Sequence, residues 1–137
     1  MVKKFMKKVF SLLLGAVVWG GCATGQAVRP ATPEEVVRSF LAAAARGDYA
    51  AAHACFAAPM KAEQPLEAFT AVVRANAPFF EVAEVSFGES SAGDRSGTAA
   101  AHLEGVLRLR SGGRMKGSFE LRREEGGWKL LSYWFRA

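Results

Sequence analysis

The polar and apolar positions of this chain change period once, near Pro78. Before that point they follow helical spacing. Thr32, Pro33 and Glu35 supply an N-cap hydroxyl, a proline at the first helical position and a glutamate at the third, the makings of a capping box. Val37, Phe40, Leu41 and Ala44 then form one apolar stripe, which predicts an amphipathic helix. Gly47 is suited to end it in a left-handed conformation, and Asp48 to cap a second helix at once. In that second helix Tyr49, Ala52, His53 and Phe56 share a face, and Pro59 is expected to close it. A third helix is predicted from Pro65 to about Ala75, with Leu66, Phe69 and Val73 inward and Glu67 and Arg74 outward, stopped by Pro78.

Beyond Pro78 the spacing alternates. A strand is predicted over Phe79 to Phe87, followed by a loop from Gly88 to Gly97. From Thr98 to Arg110, Ala99, Ala101, Leu103, Leu107 and Leu109 fall on one face, and His102, Glu104, Arg108 and Arg110 on the other. Ser111, Gly112 and Gly113 make a hairpin turn, and the return strand sets Met115, Phe119 and Leu121 against Lys116, Glu120 and Arg122. After a turn at Gly126 and Gly127, the last strand is apolar on both faces, with Trp128, Leu130 and Trp134 on one and Leu131, Tyr133 and Phe135 on the other. Such a strand is expected to be central or covered on both sides. The pattern describes an α+β domain, three N-terminal helices packed on one face of a curved, mainly antiparallel sheet. With all three helices assigned to one side, Leu131, Tyr133 and Phe135 lack a cover and are expected to form an interface, either in a homodimer or with an envelope protein partner.

The first 22 residues have a separate logic. Lys3, Lys4, Lys7 and Lys8 precede an apolar run from Val9 to Trp19, and Gly20, Gly21 and Cys22 follow it. The run falls short of the roughly 20 residues that cross a bilayer, so it reads as the core of a secretion signal. A cysteine behind two glycines resembles the lipobox of bacterial lipoproteins, with Trp19 standing where that motif usually carries leucine. The resemblance implies removal of residues 1–21 and acylation of Cys22. It further implies a lipid anchor in a membrane of the cell envelope, with the protein facing the periplasm or exterior. Residues 22–31 then form a tether, about nine residues beyond the cysteine and about 30 Å when stretched, and residues 32–137 the domain.

Charge and cysteine content narrow the function further. The formal net charge of +5 is misleading, because four of the 18 basic residues lie in the leader and the rest nearly balance 13 acids. A nucleic-acid reader is expected to keep a basic excess, so that class is excluded. Cys55 is alone in the domain, which leaves no internal disulfide framework, and no lysine or arginine lies close in sequence to activate it. Two histidines and one cysteine at wide spacing match no metal-ligand pattern, and no phosphate loop or nucleophile elbow points to a cofactor.

Taken together, the capped first helix, the Gly47, Asp48, Tyr49 corner, the third helix and the closing hairpins that end in Gly127, Trp128, Lys129 and Leu130 resemble the nuclear transport factor 2-like superfamily, and within it small secreted lipoproteins. The resemblance spans Thr32 to Phe135 and implies a cone-shaped sheet around a cavity, for which Phe40, Tyr49, His53, Phe119 and Trp128 are the candidate lining. The superfamily includes isomerases, dehydratases and members without catalysis, so the fold does not decide the activity. An enzyme of this kind would aim a carboxylate or histidine into the cone. The inward strand positions here are alanine, leucine, methionine and phenylalanine, which move no proton. The expectation is therefore a non-catalytic protein that binds a partner or a small apolar ligand. The alternative is an isomerase or dehydratase built on Tyr49 and His53, one helical turn apart. Arg108, Arg110, Arg114 and Lys116 gather at one hairpin tip, a solvated face that could also meet anionic lipid headgroups.

Overall fold

The computed structural model describes residues 31–95 and 97–137. The expectations placed on the leader, on Cys22 and on the tether as far as Pro30 lie outside the described residues. Helix α1 spans Pro33–Ala45 and opens with the reciprocal capping box: the Glu35 N–H donates to Thr32 Oγ1 at 3.2 Å and the Thr32 N–H to Glu35 Oε1 at 2.9 Å. Its buried face is Val37, Phe40, Leu41, Ala43 and Ala44. Gly47 follows at φ 82°, a conformation that favours glycine. Asp48 then caps α2, Tyr49–His53, by accepting from the Ala51 N–H at 3.2 Å.

Three helices follow where one was expected: α3 over Ala58–Glu63, α4 over Leu66–Ala75 and α5 over Ala77–Phe80. Pro59 and Pro78, expected as stops, sit instead in the first turns of α3 and α5. A first-turn proline gives up no intrahelical hydrogen bond and brings φ already set, so the same residue that ends one helix can begin the next.

The sheet has four strands, β1 Val82–Arg95, β2 Thr98–Leu109, β3 Arg114–Glu124 and β4 Gly127–Arg136, joined in sequence order as an antiparallel meander. Two corrections concern its ends. The segment predicted as a loop from Gly88 is strand as far as Arg95, paired Ser91↔His102, Ala92↔Ala101 and Gly93↔Ala100. Backbone ladders need no apolar side chains, and a tight turn at Gly97, φ 79°, returns the chain directly into β2. The last strand, expected to be central, is an edge. Part of that edge is covered, because Leu130 donates to the Cys55 carbonyl and accepts from the Ala57 N–H, both at 2.7 Å.

On β2 and β3 the alternation holds, and Ala101, Leu103, Leu107, Leu109, Met115, Phe119 and Leu121 are buried. Gly105 and Gly117 face each other in the ladder on this inner side. A Cβ on Gly105 would lie 2.9 Å from the Ser86 carbonyl oxygen, which forces the backbone to shift, and one on Gly117 3.0 Å from the Phe119 ring, which would have to give way. On β4 the phase changes. Leu121 pairs with Leu130 but the neighbouring Glu120 pairs with Ser132, which leaves Leu131 as the extra residue of a bulge. Beyond it Tyr133 and Phe135 point inward with Leu130, and Trp134 is 60% exposed on the outer face. The expected outward stripe of Leu131, Tyr133 and Phe135 is therefore not formed. Phe40 sits at the centre of the core, its ring 5.2 Å from Tyr133, 5.7 Å from Phe56 and 6.0 Å from Phe69.

Candidate functional site

Between the sheet and the helices that precede it lies a cavity of about 380 Å³. Its walls come from four elements: Val72 of α4, Phe79 and Phe80 of α5, Met115 of β3, and Tyr133 and Phe135 of β4. Asn76 and Arg136 reach its margin. The Asn76 amide is turned back on its own helix, where it donates to the Val72 carbonyl at 2.9 Å. Burial pushes the Tyr133 phenol up to about 12, so it stays neutral across the physiological range and offers no base. Among the described residues no aspartate, glutamate or histidine lines the cavity. The arrangement is an open aromatic surface whose polar groups are the neutral Tyr133 phenol and, at the margin, Asn76, Arg136 and the Ala137 backbone.

The residues expected to line a cavity lie elsewhere. Phe40 and Phe119 are fully buried in solid core. His53 is half-buried at the core edge, its ring centroid 5.1 Å from that of Phe56 and 6.1 Å from that of Phe69. Its Nε2 lies 2.9 Å from the Gln64 carbonyl oxygen, which only accepts, so that nitrogen carries the proton and is already used. Tyr49 lies under the Arg74 guanidinium, 5.8 Å from ring centroid to Cζ. Trp128 is half-buried with the Arg123 guanidinium 5.5 Å away. None of these five forms the wall of the cavity. Of the three interface candidates, Tyr133 and Phe135 form that wall instead, and Leu131 lies on the outer face. The reason is the bulge, which carries no mark in the side chains around it. Val72, Phe79, Phe80 and Met115 escaped the sequence reading. The signal available for two of them was the adjacent Phe79 and Phe80 directly behind a proline.

The outer face holds polar pairs. His102 lies between two carboxylates, with Nε2 3.1 Å from Glu104 and Nδ1 3.2 Å from Glu120. The hydrogen bond to Glu104, with that to Glu120, outweighs partial desolvation and raises the imidazole above its ordinary value. Arg108 holds Glu84 at 2.7 Å, and Arg122 holds Glu124 at 2.7 Å. Cys55 is half-buried, and burial pushes its thiol up against the opposing influence of Lys129 and Lys61. Among the described residues no group of three or more histidine, cysteine, aspartate and glutamate side chains is placed to hold a metal ion, and no helix is long and apolar enough to cross a membrane.

Comparison with solved structures identifies the architecture. A Campylobacter jejuni protein, described as NTF2-like and provisionally as a transpeptidase, superposes with a TM-score of 0.59 at 14% identity, over 74% of this chain and 99% of that one. A SEC-C motif-containing protein from Rhodopseudomonas palustris gives 0.51 at 17% identity, over 75% of this chain and 77% of that one. Aln2 from a Streptomyces species gives 0.50 at 16% identity, over 79% and 93% respectively. At these identities the likeness is one of fold, helices packed on an open antiparallel sheet in the nuclear transport factor 2-like manner. No family model matches the sequence, and neither does any curated protein.

Proposed function

We propose that this is a non-catalytic, lipid-anchored protein of the cell envelope whose α+β domain holds a small apolar ligand between α4, α5 and the sheet. The observation that carries the reading is the cavity lined by Val72, Phe79, Phe80, Met115, Tyr133 and Phe135. Its volume of about 380 Å³ falls in the lower part of the range of about 300 to 1,000 Å³ over which small-molecule sites occur. Its walls contribute mainly apolar surface, and no aspartate, glutamate or histidine side chain among the described residues lines it, which favours binding over acid–base chemistry. The alternative on Tyr49 and His53 loses support from the hydrogen bond that engages His53 Nε2, and from the Arg74 guanidinium stacked on Tyr49. The anchor rests on Cys22 and the leader before it.

The test uses the mature chain and an apolar dye, N-phenyl-1-naphthylamine, whose fluorescence rises in a dry site. Saturable binding is expected. Phe79→Asp should weaken it by at least about tenfold, and because Phe79 is 50% exposed, the variant should still fold. Dye that does not bind, or that binds Phe79→Asp as well as wild type, would refute the ligand reading. Intact mass gives the second readout: wild type should carry acyl chains on Cys22 and Cys22→Ala should carry none.

A further inference from the structure

The outer face of the sheet has one uneven end. Around Trp134, 60% exposed, and Val106, 43% exposed, a shallow groove of about 290 Å³ is bordered by Lys116 and Arg136 on one side and by Glu104 on the other. Lys116 and Arg136 are cross-strand partners, as are Ser118 and Trp134. Arg110 and Arg114 are exposed beside them at the same hairpin. No ion pair among the described residues takes up Arg110, Arg114, Lys116 or Arg136, whereas Arg108 is neutralised by Glu84 and Glu104 is engaged by His102. A large exposed aromatic ring thus has unpaired cations on its hairpin side, while Glu104 and Glu120 on its other side are drawn toward His102.

We propose that this end of the outer face docks on an anionic phospholipid surface, with Trp134 at headgroup depth and Lys116, Arg136, Arg110 and Arg114 against the phosphates. Tryptophan favours the boundary between headgroups and acyl chains, where its ring is covered and its indole N–H stays wet. Cations near an anionic bilayer strengthen attachment by about fivefold each. A second copy of the chain fits this patch poorly, because a two-fold interface would press Lys116 and Arg136 against groups of their own sign. The proposal rests on the lipid-anchored reading. A tether of about nine residues, about 30 Å at full stretch, would hold the domain within reach of the surface.

The experiment reconstitutes the mature chain into vesicles of phosphatidylcholine alone and of phosphatidylcholine with one third phosphatidylglycerol, each with or without a headgroup-proximal doxyl lipid. The readout is the quenching lost on Trp134→Phe, which isolates Trp134 from Trp128. Quenching is expected in the anionic vesicles and not in the neutral ones. It should fall when Lys116 and Arg136 are both changed to Gln, the partition constant dropping about 25-fold. It should also vanish near 0.5 M salt, where screening acts within about 4 Å. Equal quenching in both vesicle types, or none in either while the chain stays bound, overturns the docking and leaves the anchor standing. Loss of the chain from neutral vesicles instead overturns the anchor, and quenching on added anionic vesicles then decides the docking alone. Capture of Trp134 by a protein partner would show as no quenching in either lipid and so counts against the proposal.

Discussion

The bulge at Leu131 decides which aromatic residues of β4 support the fold, and its consequence is measurable. Tyr133 approaches four rings, with centroid distances of 5.2 Å to Phe40, 5.5 Å to Phe135, 6.2 Å to Phe56 and 6.3 Å to Phe80. Truncating a fully buried aromatic residue to alanine costs about 3 to 5 kcal/mol. Tyr133 is half-buried and borders an existing cavity, so part of that cost is absent and about 2 to 3 kcal/mol is expected for Tyr133→Ala. Trp134 is the larger residue but is 60% exposed, so Trp134→Ala should cost about 0.5 kcal/mol or less. Urea unfolding of the mature chain, followed by far-UV circular dichroism at neutral pH, compares the two. A domain of about 100 residues translates the difference into roughly 6 to 15 °C in Tm. Deleting Leu131 restores strict alternation with Tyr133 and Phe135 still inward, so that variant should remain folded. Equal costs for the two alanine variants, or a greater cost at Trp134, would mean that β4 keeps a regular phase and that the cavity wall has been assigned to the wrong face.

Two further outcomes follow from single side chains. His102 has its folded pKa raised by Glu104 and Glu120, so its stabilising contribution is complete below about pH 6.5 and is lost as pH rises through the folded value; stability measured by urea midpoint should therefore increase on going from about pH 8 to about pH 6, and His102→Gln should flatten that slope. Gln64 Oε1 is buried without a hydrogen-bond partner among the described residues, so Gln64→Met should raise stability by about 1 kcal/mol. A lowered urea midpoint would expose a partner for that oxygen.

The parts of the fold that could be read in the sequence are those where one side chain does one local task. Thr32 and Glu35 cap α1 through groups three residues apart, and Gly47 ends it because its φ of 82° suits few other residues. The inner faces of β2 and β3 were readable because Leu103, Leu107 and Phe119 alternate with groups that must stay wet. Where the controlling contact is non-local, the reading failed. Ser91 to Gly93 form strand because β2 lies beside them, and a stretch of small and polar residues gives no hint of that neighbour. Pro59 and Pro78 are compatible with a stop and with a first turn, and only the packing of α3 and α5 decides. The cavity was the hardest to foresee. Its walls combine residues as distant as Val72 and Phe135, and an error of one residue in the phase of β4 moved both aromatic walls to the wrong side.

The C-terminal half of β4 serves both proposals through opposite faces. Tyr133 and Phe135 close the apolar cavity, while Trp134 and Lys116 border the outer groove, and Arg136 contributes to the margins of both. This adjacency makes the two activities separable by substitution rather than merely distinct in name. Phe79 belongs to the cavity and not to the groove, so Phe79→Asp should abolish dye binding and leave the quenching of Trp134 by anionic vesicles intact. Lys116→Gln should do the reverse, weakening that quenching while dye binding stays intact, since Lys116 lines the groove and not the cavity. If both variants lost both readouts, the strand end would be acting as one structural unit whose integrity each substitution destroys. If the effects stay apart, the cavity and the groove act independently although opposite faces of one strand, Tyr133 and Phe135 on one and Trp134 on the other, build them.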